Sequence, residues 1–120
     1  MDYTWITTAF LQLKAVETAY QEDWQATKMM LSDKMMAMLG EDKIGRPILT
    51  LKLPPDKNAL LQAMYPDKII PGYYMNKVHW SSIYLDVDVS KELIEENIQL
   101  SYETLFKTLS KKKQELIQGQ

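Results

Sequence analysis

Few residues in this chain are of a type and spacing that could do chemistry. The sequence holds one histidine, His79, so a serine–histidine relay would have to use it and a site with several histidine ligands is impossible. No nucleophile or carboxylate stands beside it at a spacing that nominates a partner. Asp86 and Asp88 are two apart and could in principle chelate a hard cation, but no further ligands follow at the spacing of a calcium loop. A turn and a helix cap account for them better. With no cysteine, a thiolate zinc site, a disulfide framework and a cysteine nucleophile are excluded. Four glycines, none in a phosphate-cradling arrangement, exclude a P-loop and a dinucleotide fingerprint. The eight methionines, five of them between Met29 and Met38, suit a pliable core better than a soft metal site. No cofactor and no metal are expected.

The segment that stands out runs Ile70-Pro71-Gly72-Tyr73-Tyr74-Met75-Asn76-Lys77-Val78-His79-Trp80. It gathers a turn, two tyrosines, an amide, a cation, an imidazole and an indole. Two readings fit this composition: a turn pinned by aromatics at the entrance to a strand, with Trp80 largely buried, or a recognition surface of stacking and hydrogen-bonding groups.

These residues need elements to hold them. A chain of 120 residues with 46% hydrophobic content fits one domain with a real core, taken as residues 1–120. Ile6, Ala9, Phe10, Leu13 and Val16 recur at helical steps, which predicts an N-terminal helix reaching to Val16, with Asp2 or Thr4 at its start. Two apolar runs around Ser32-Asp33-Lys34 predict a β-hairpin, and Ile48 to Leu53 predicts a third strand. Pro54-Pro55 opens a middle helix whose inner face is expected at Ala59, Leu60, Ala63 and Met64. The stretch from Val78 to Val87 predicts a fourth strand. Ile94, Ile98, Tyr102, Leu105 and Leu109 mark a last helix behind Asp88 or Ser90, with Lys111-Lys112-Lys113 at its negative end. The fold class is therefore α+β: an antiparallel sheet of at least four strands with helices at the N-terminus, middle and C-terminus.

A formal charge of −2 argues against nucleic-acid binding by bulk electrostatics. Lys28, Lys34, Lys43, Arg46 and Lys52 outnumber Asp33, Glu41 and Asp42 between Thr27 and Leu53, which leaves room for a local basic face. No run approaches the ~20 apolar residues of a membrane helix, and the N-terminus lacks the pattern of a signal peptide. A cytoplasmic protein with no membrane contact is expected, as a monomer.

The 71–80 segment closely resembles the signature of the MmcQ/YjbR family of small bacterial proteins, which contains a Pro-Gly-Tyr-His-Met-Asn-Lys-Arg-His-Trp run. Further matches are Lys34-Met35-Met36-Ala37, Leu51-Lys52, Tyr65-Pro66 and Ser101-Tyr102. The resemblance implies an α+β fold similar to bacterial frataxin, described as a double-wing arrangement, and no enzymatic activity. It also implies a DNA-binding or DNA-associated accessory role, which here would use Lys34, Lys52, Asn76, Lys77 and His79, with Tyr73, Tyr74 or Trp80 stacking on bases. Tyr74 and Val78 replace the family's first His and its Arg, removing two phosphate or base contacts. DNA affinity would then be weak and salt-dependent. The alternative is a non-catalytic module that binds a protein or small ligand through the Pro71–Trp80 loop.

Overall fold

The computed structural model describes residues 2–120. Helix α1 (Thr4–Leu11) buries Ile6 and Phe10 completely. It ends sooner than the apolar spacing predicts. The backbone leaves the helix after Gln12, Ala15 takes a left-handed φ of 68°, and Val16 opens strand β1 (Val16–Gln21). Val16 thus reaches the core from a strand, and its helical spacing from Leu13 is incidental.

Strands β2 (Ala26–Leu31) and β3 (Lys34–Glu41) form the expected hairpin, closed by Ser32 at φ 58° and Asp33. A bulge lies between Met29 and Met30. Strand β4 (Pro47–Lys52) and helix α2 (Pro55–Met64) follow, then the short strand β5 (Ile69–Pro71) and strand β6 (Trp80–Tyr84). All neighbouring strands run antiparallel in the order β1-β2-β3-β4-β6-β5. Among the described residues the sheet has six strands; β1 and β5 lie beyond the four predicted.

Helix α3 (Lys91–Phe106) crosses β4, β3 and β2 on one face of the sheet, where Leu49, Leu51, Ile83, Ile94, Ile98 and Leu105 meet. Ser90 caps it, its hydroxyl accepting from the Leu93 amide at 3.1 Å. The lysine run does not end this helix. Leu109 lies in a turn, Ser110 caps a further helix α4 (Lys111–Gln118), and the three lysines occupy its first turn. There they meet the positive pole of the dipole, the opposite of the favourable placement expected.

The inner face of α2 also differs from expectation. Leu60 and Met64 are more than half exposed, whereas Asn58 and Leu61 are buried. The Asn58 amide nitrogen donates to the Leu53 carbonyl at 3.0 Å and the Val78 carbonyl at 2.9 Å, and its oxygen accepts from the Ser81 hydroxyl at 2.6 Å. These bonds compensate the cost of burying a polar side chain and fix α2 to β6 and to the loop before it. No helix among the described residues is long and apolar enough to cross a membrane.

Candidate functional site

The sheet face away from the helices is also buried. Met38, Ile48, Thr50, Trp80, Ser82 and Tyr84 are each less than a tenth exposed, and Thr50 and Ser82 share a hydrogen bond of 2.7 Å. Two loops, residues 72–79 and 42–46, hydrogen-bond to this face. A site built there stands on rigid strands but is shaped by loops, the usual division between scaffold and recognition.

The first loop begins at Gly72, whose amide donates to the Trp80 carbonyl at 2.8 Å. A Cβ at Gly72 would lie 2.4 Å from the Trp80 Cβ, so only glycine permits this approach. Tyr73 donates its amide to Ser82 Oγ at 2.9 Å. Asn76 Oδ1 accepts from the amides of Val78 and His79 at 2.9 and 3.2 Å, an Asx turn, and Lys77 Nζ donates to the Gly72 carbonyl at 2.6 Å. Asn76 and Lys77 hold the loop's own shape. Trp80 is buried beneath it and His79 is exposed.

At the tip, Tyr74 takes φ 66° and stands 61% exposed, edge-on to Tyr73 with ring centroids 4.4 Å apart. A bulky residue in the left-handed region stores strain, and such strain persists where surrounding contacts over-determine it. Partial desolvation, with Tyr73 close by, raises the Tyr74 hydroxyl above its ordinary pKa. It stays a neutral donor.

The second loop is organised by Asp42. Its Oδ1 accepts from the Ile44 and Arg46 amides at 3.0 and 2.9 Å, and its Oδ2 accepts from the Tyr84 hydroxyl at 3.2 Å. Desolvation would raise the Asp42 pKa, but these hydrogen bonds outweigh it and the carboxyl sits below its ordinary value. Arg46 lies 3.7 Å above the Tyr84 ring centroid and pairs with Asp86 through two bonds of 3.0 Å. The Lys43 amide donates to the Tyr73 hydroxyl at 3.2 Å, joining the two loops.

Between the 72–79 loop and a 3-10 turn at Glu22–Trp24 lies a cleft of about 480 Å³. Trp24, 55% exposed, and Tyr74 stand on its walls with Met75. Ala26, Met38 and Gly40 form its floor, where a Cβ on Gly40 would come within 2.9 Å of the Ala26 Cβ. Gln25, with φ 49°, Asp23, Glu41, Asp42 and Lys43 complete the lining. Lys28 Nζ lies 5.8 Å from the Trp24 ring centroid, a cation–π distance.

Of the residues nominated from the sequence as contacts, Tyr74 alone lines this cleft, beside Met75 of the same segment and Lys43 of the local basic stretch. Tyr73, Asn76, Lys77, His79 and Trp80 share its loop. Lys52 pairs with Trp80 across β4 and β6 on the same side of the sheet. Lys34 does not join them: it pairs with the core residue Leu31, and its Nζ meets Thr108 Oγ1 at 3.3 Å on the helix-covered side. Trp24, Met38, Asp23 and Asp42 were not nominated from the sequence for this site. Trp24 could have been found, because an indole in the polar stretch Gln21-Glu22-Asp23-Trp24-Gln25 has no apolar neighbours to bury it. Among the described residues, no group of three His, Asp or Glu side chains is placed to hold a metal ion.

The YjbR family model matches residues 11–104, a span that contains the cleft and both loops. The chain belongs to the YjbR family. It is 32% identical over 101 residues to the protein YjbR of Escherichia coli K12, covering 84% of each chain. It is 38% identical over 80 residues to YbdF of Escherichia coli O157:H7, covering 67% of this chain and 65% of that one. The fold matches the crystal structure of DR2400 from Deinococcus radiodurans, with a TM-score of 0.84 at 24% identity over 93% of this chain and 84% of that one. A protein from Pseudomonas syringae matches with a TM-score of 0.72 at 21% identity over 87% and 98%. The YjbR signature read from the sequence thus covers the loop that forms one wall of the cleft.

Proposed function

We propose that this YjbR-family chain is a non-catalytic binding module whose cleft takes a small flat ligand between Trp24 and Tyr74. The observation that carries the reading is that two exposed aromatic residues, Trp24 and Tyr74, line one cleft with Met38, Ala26 and Gly40, in a volume suited to a small molecule. Ring faces left in water gain free energy when a flat ligand covers them. The non-catalytic part rests on His79: among the described residues its imidazole hydrogen-bonds to no hydroxyl or carboxylate, so no proton relay supports bond chemistry.

The nucleic-acid reading asks Lys34, Lys52 and Lys77 to act on one phosphate backbone. Lys34 stands across the sheet from the other two, Lys77 Nζ is engaged by the Gly72 carbonyl, and the cleft lining carries the carboxylates of Asp23 and Asp42 against the one ammonium of Lys43. These observations favour the ligand-binding module.

Amide chemical-shift mapping separates the two. A mixture of neutral aromatic fragments should shift Gln25, Ala26, Gly40, Lys43 and Met75 together. A labelled DNA duplex in low salt should leave those amides unmoved. Fragment shifts scattered away from the cleft would overturn the proposal. Duplex-induced shifts at Lys52 and Lys77 with a log–log salt slope of roughly −3 to −4 would replace it with the nucleic-acid reading.

A further inference from the structure

The two edges of the sheet are protected unequally. An edge strand presents unpaired N–H and C=O groups to any strand that approaches, and proteins blunt such edges with brevity, proline, lysine or a bulge. At one end β5 uses two of these devices, since it is three residues long and finishes at Pro71. At the other end β1 uses none. It runs six residues as Val-Glu-Thr-Ala-Tyr-Gln, keeps one unbroken register with β2 and contains neither proline nor lysine. Among the described residues, 17–21 make no backbone hydrogen bond outside the sheet, so the groups that alternate away from β2 stay open. Glu17, Ala19 and Tyr20 are exposed, Tyr20 by 64%.

The strand's own pattern limits what fits this edge. Val16 lies in the helix-side core, so Thr18 and Tyr20 share its face while Glu17, Ala19 and Gln21 hold the other. Two antiparallel copies related by a two-fold axis keep their faces, so each residue meets one from its own face. The Val16 amide is already donated to the Leu13 carbonyl, which moves the centre of pairing toward Ala19. Centred there, Ala19 stands opposite its own copy, Thr18 opposite Tyr20 and Glu17 opposite Gln21. A β-branched residue beside an aromatic ring is a favourable cross-strand pair, and an amide can donate to a carboxylate. The strand's one charge never meets itself. The flanks agree: Lys14 precedes β1, Glu22 and Asp23 follow it, all three are exposed, and none forms an ion pair among the described residues. Antiparallel pairing carries the acids of each copy to the lysine end of the other, whereas parallel pairing would set like charges together.

We infer that β1 is a self-association edge: a second copy of this chain pairs with it antiparallel, centred on Ala19, and joins the two sheets into one. A single strand edge is a small contact against the ~1,200 Å² at which specific interfaces become stable, so the dimer is weak and concentration-dependent. A monomer is the expectation from the sequence, where Val16 reads as helix and this edge does not appear. The inference does not rest on the ligand cleft.

Sedimentation from about 10 µM to about 1 mM protein should raise the mean mass from the 14.0 kDa of one chain toward twice that value. Amide exchange in residues 17–21 should slow over the same range. Ala19→Lys and Ala19→Glu each place two like charges about 5 Å apart at the axis, so either variant alone should keep the mass of one chain at the highest concentration. Mixed in equal amounts, the two variants should pair at least tenfold more tightly than either with itself. A wild type that keeps the mass of one chain throughout would overturn the inference and leave the edge to a strand of another protein. A dimer that persists in both single variants, or one that mixing fails to restore, would refute the pairing centred on Ala19.

Discussion

Replacing Gly72 by alanine tests how the cleft wall is held. The added Cβ would lie 2.4 Å from the Trp80 Cβ and 3.1 Å from both the carbonyl carbon and oxygen of Trp80. None of these atoms is the free end of a flexible side chain. To restore ordinary contact, the start of the loop must move from β6 by roughly 1 Å, which stretches the 2.8 Å hydrogen bond from the Gly72 amide to the Trp80 carbonyl beyond bonding distance. Overpacking of this kind costs about 1–3 kcal/mol, and the lost backbone bond adds about 0.5–1.5 kcal/mol. The sum is about 1.5–4.5 kcal/mol, read as a shift in the urea midpoint at unchanged m-value. Gly45→Ala is the control, because Gly45 has φ 86° and open space around its Cα, so only backbone strain of about 1–2 kcal/mol applies. A Gly72→Ala loss below about 1 kcal/mol, or one no larger than that of Gly45→Ala, would refute the claim that close approach is what requires glycine at this position.

Asn58→Ala should cost about 2–4 kcal/mol, since it strips bonds from the Leu53 and Val78 carbonyls and from Ser81, and it should speed hydrogen exchange in the 72–79 loop; a cost under about 0.5 kcal/mol would mean water replaces the amide freely. Lys113→Glu, in the first turn of α4 and with apolar residues three and four positions on, should stabilise by about 0.3–1 kcal/mol in low salt, and a loss of stability would show that the dipole is not the dominant field there. The Asp42 carboxyl is held below its ordinary value of 3.8 in the fold, so its contribution is present above that value and lost as pH falls through the folded pKa. The stability advantage of wild type over Asp42→Asn should therefore shrink on acidification from about pH 5 to about pH 2, and a constant gap would contradict the assignment.

The hairpin of β2 and β3 was legible as two apolar runs around a polar turn, and strand β4 and the stripe of α3 because apolar residues there repeat at the period of the element that buries them. Elements whose apolar content is small were not. Strand β1, Val-Glu-Thr-Ala-Tyr-Gln, buries Val16 alone, and that residue falls in helical step with Leu13, so the pattern read as a longer α1. Strand β5 is three residues long and ends at Pro71, too short for any period. Helix α4 hides behind Lys111-Lys112-Lys113, which by charge suits a helix end and in the fold begins a helix because Ser110 caps it. The inner face of α2 was misread because one of its two buried side chains is Asn58, whose polarity signals exposure until its three hydrogen bonds are known. The Pro71–Trp80 loop stood out by composition. Its opposite wall did not, because Trp24 lies some fifty residues earlier, before β2, and shares a cleft with Tyr74 only because the 72–79 loop folds back over the sheet face.

The central claim is that a flat ligand sits between Trp24 and Tyr74. A crystal structure of the protein soaked with tryptophol, a neutral indole, at tens of millimolar tests it most directly, because its binding depends on the two rings and the Met38 floor. The account predicts the indole within the cleft, in contact with both rings, and no comparable occupancy elsewhere on the molecule. An empty cleft beside tryptophol bound at another surface, or Trp24 and Tyr74 closed upon each other with no room between them, would contradict it.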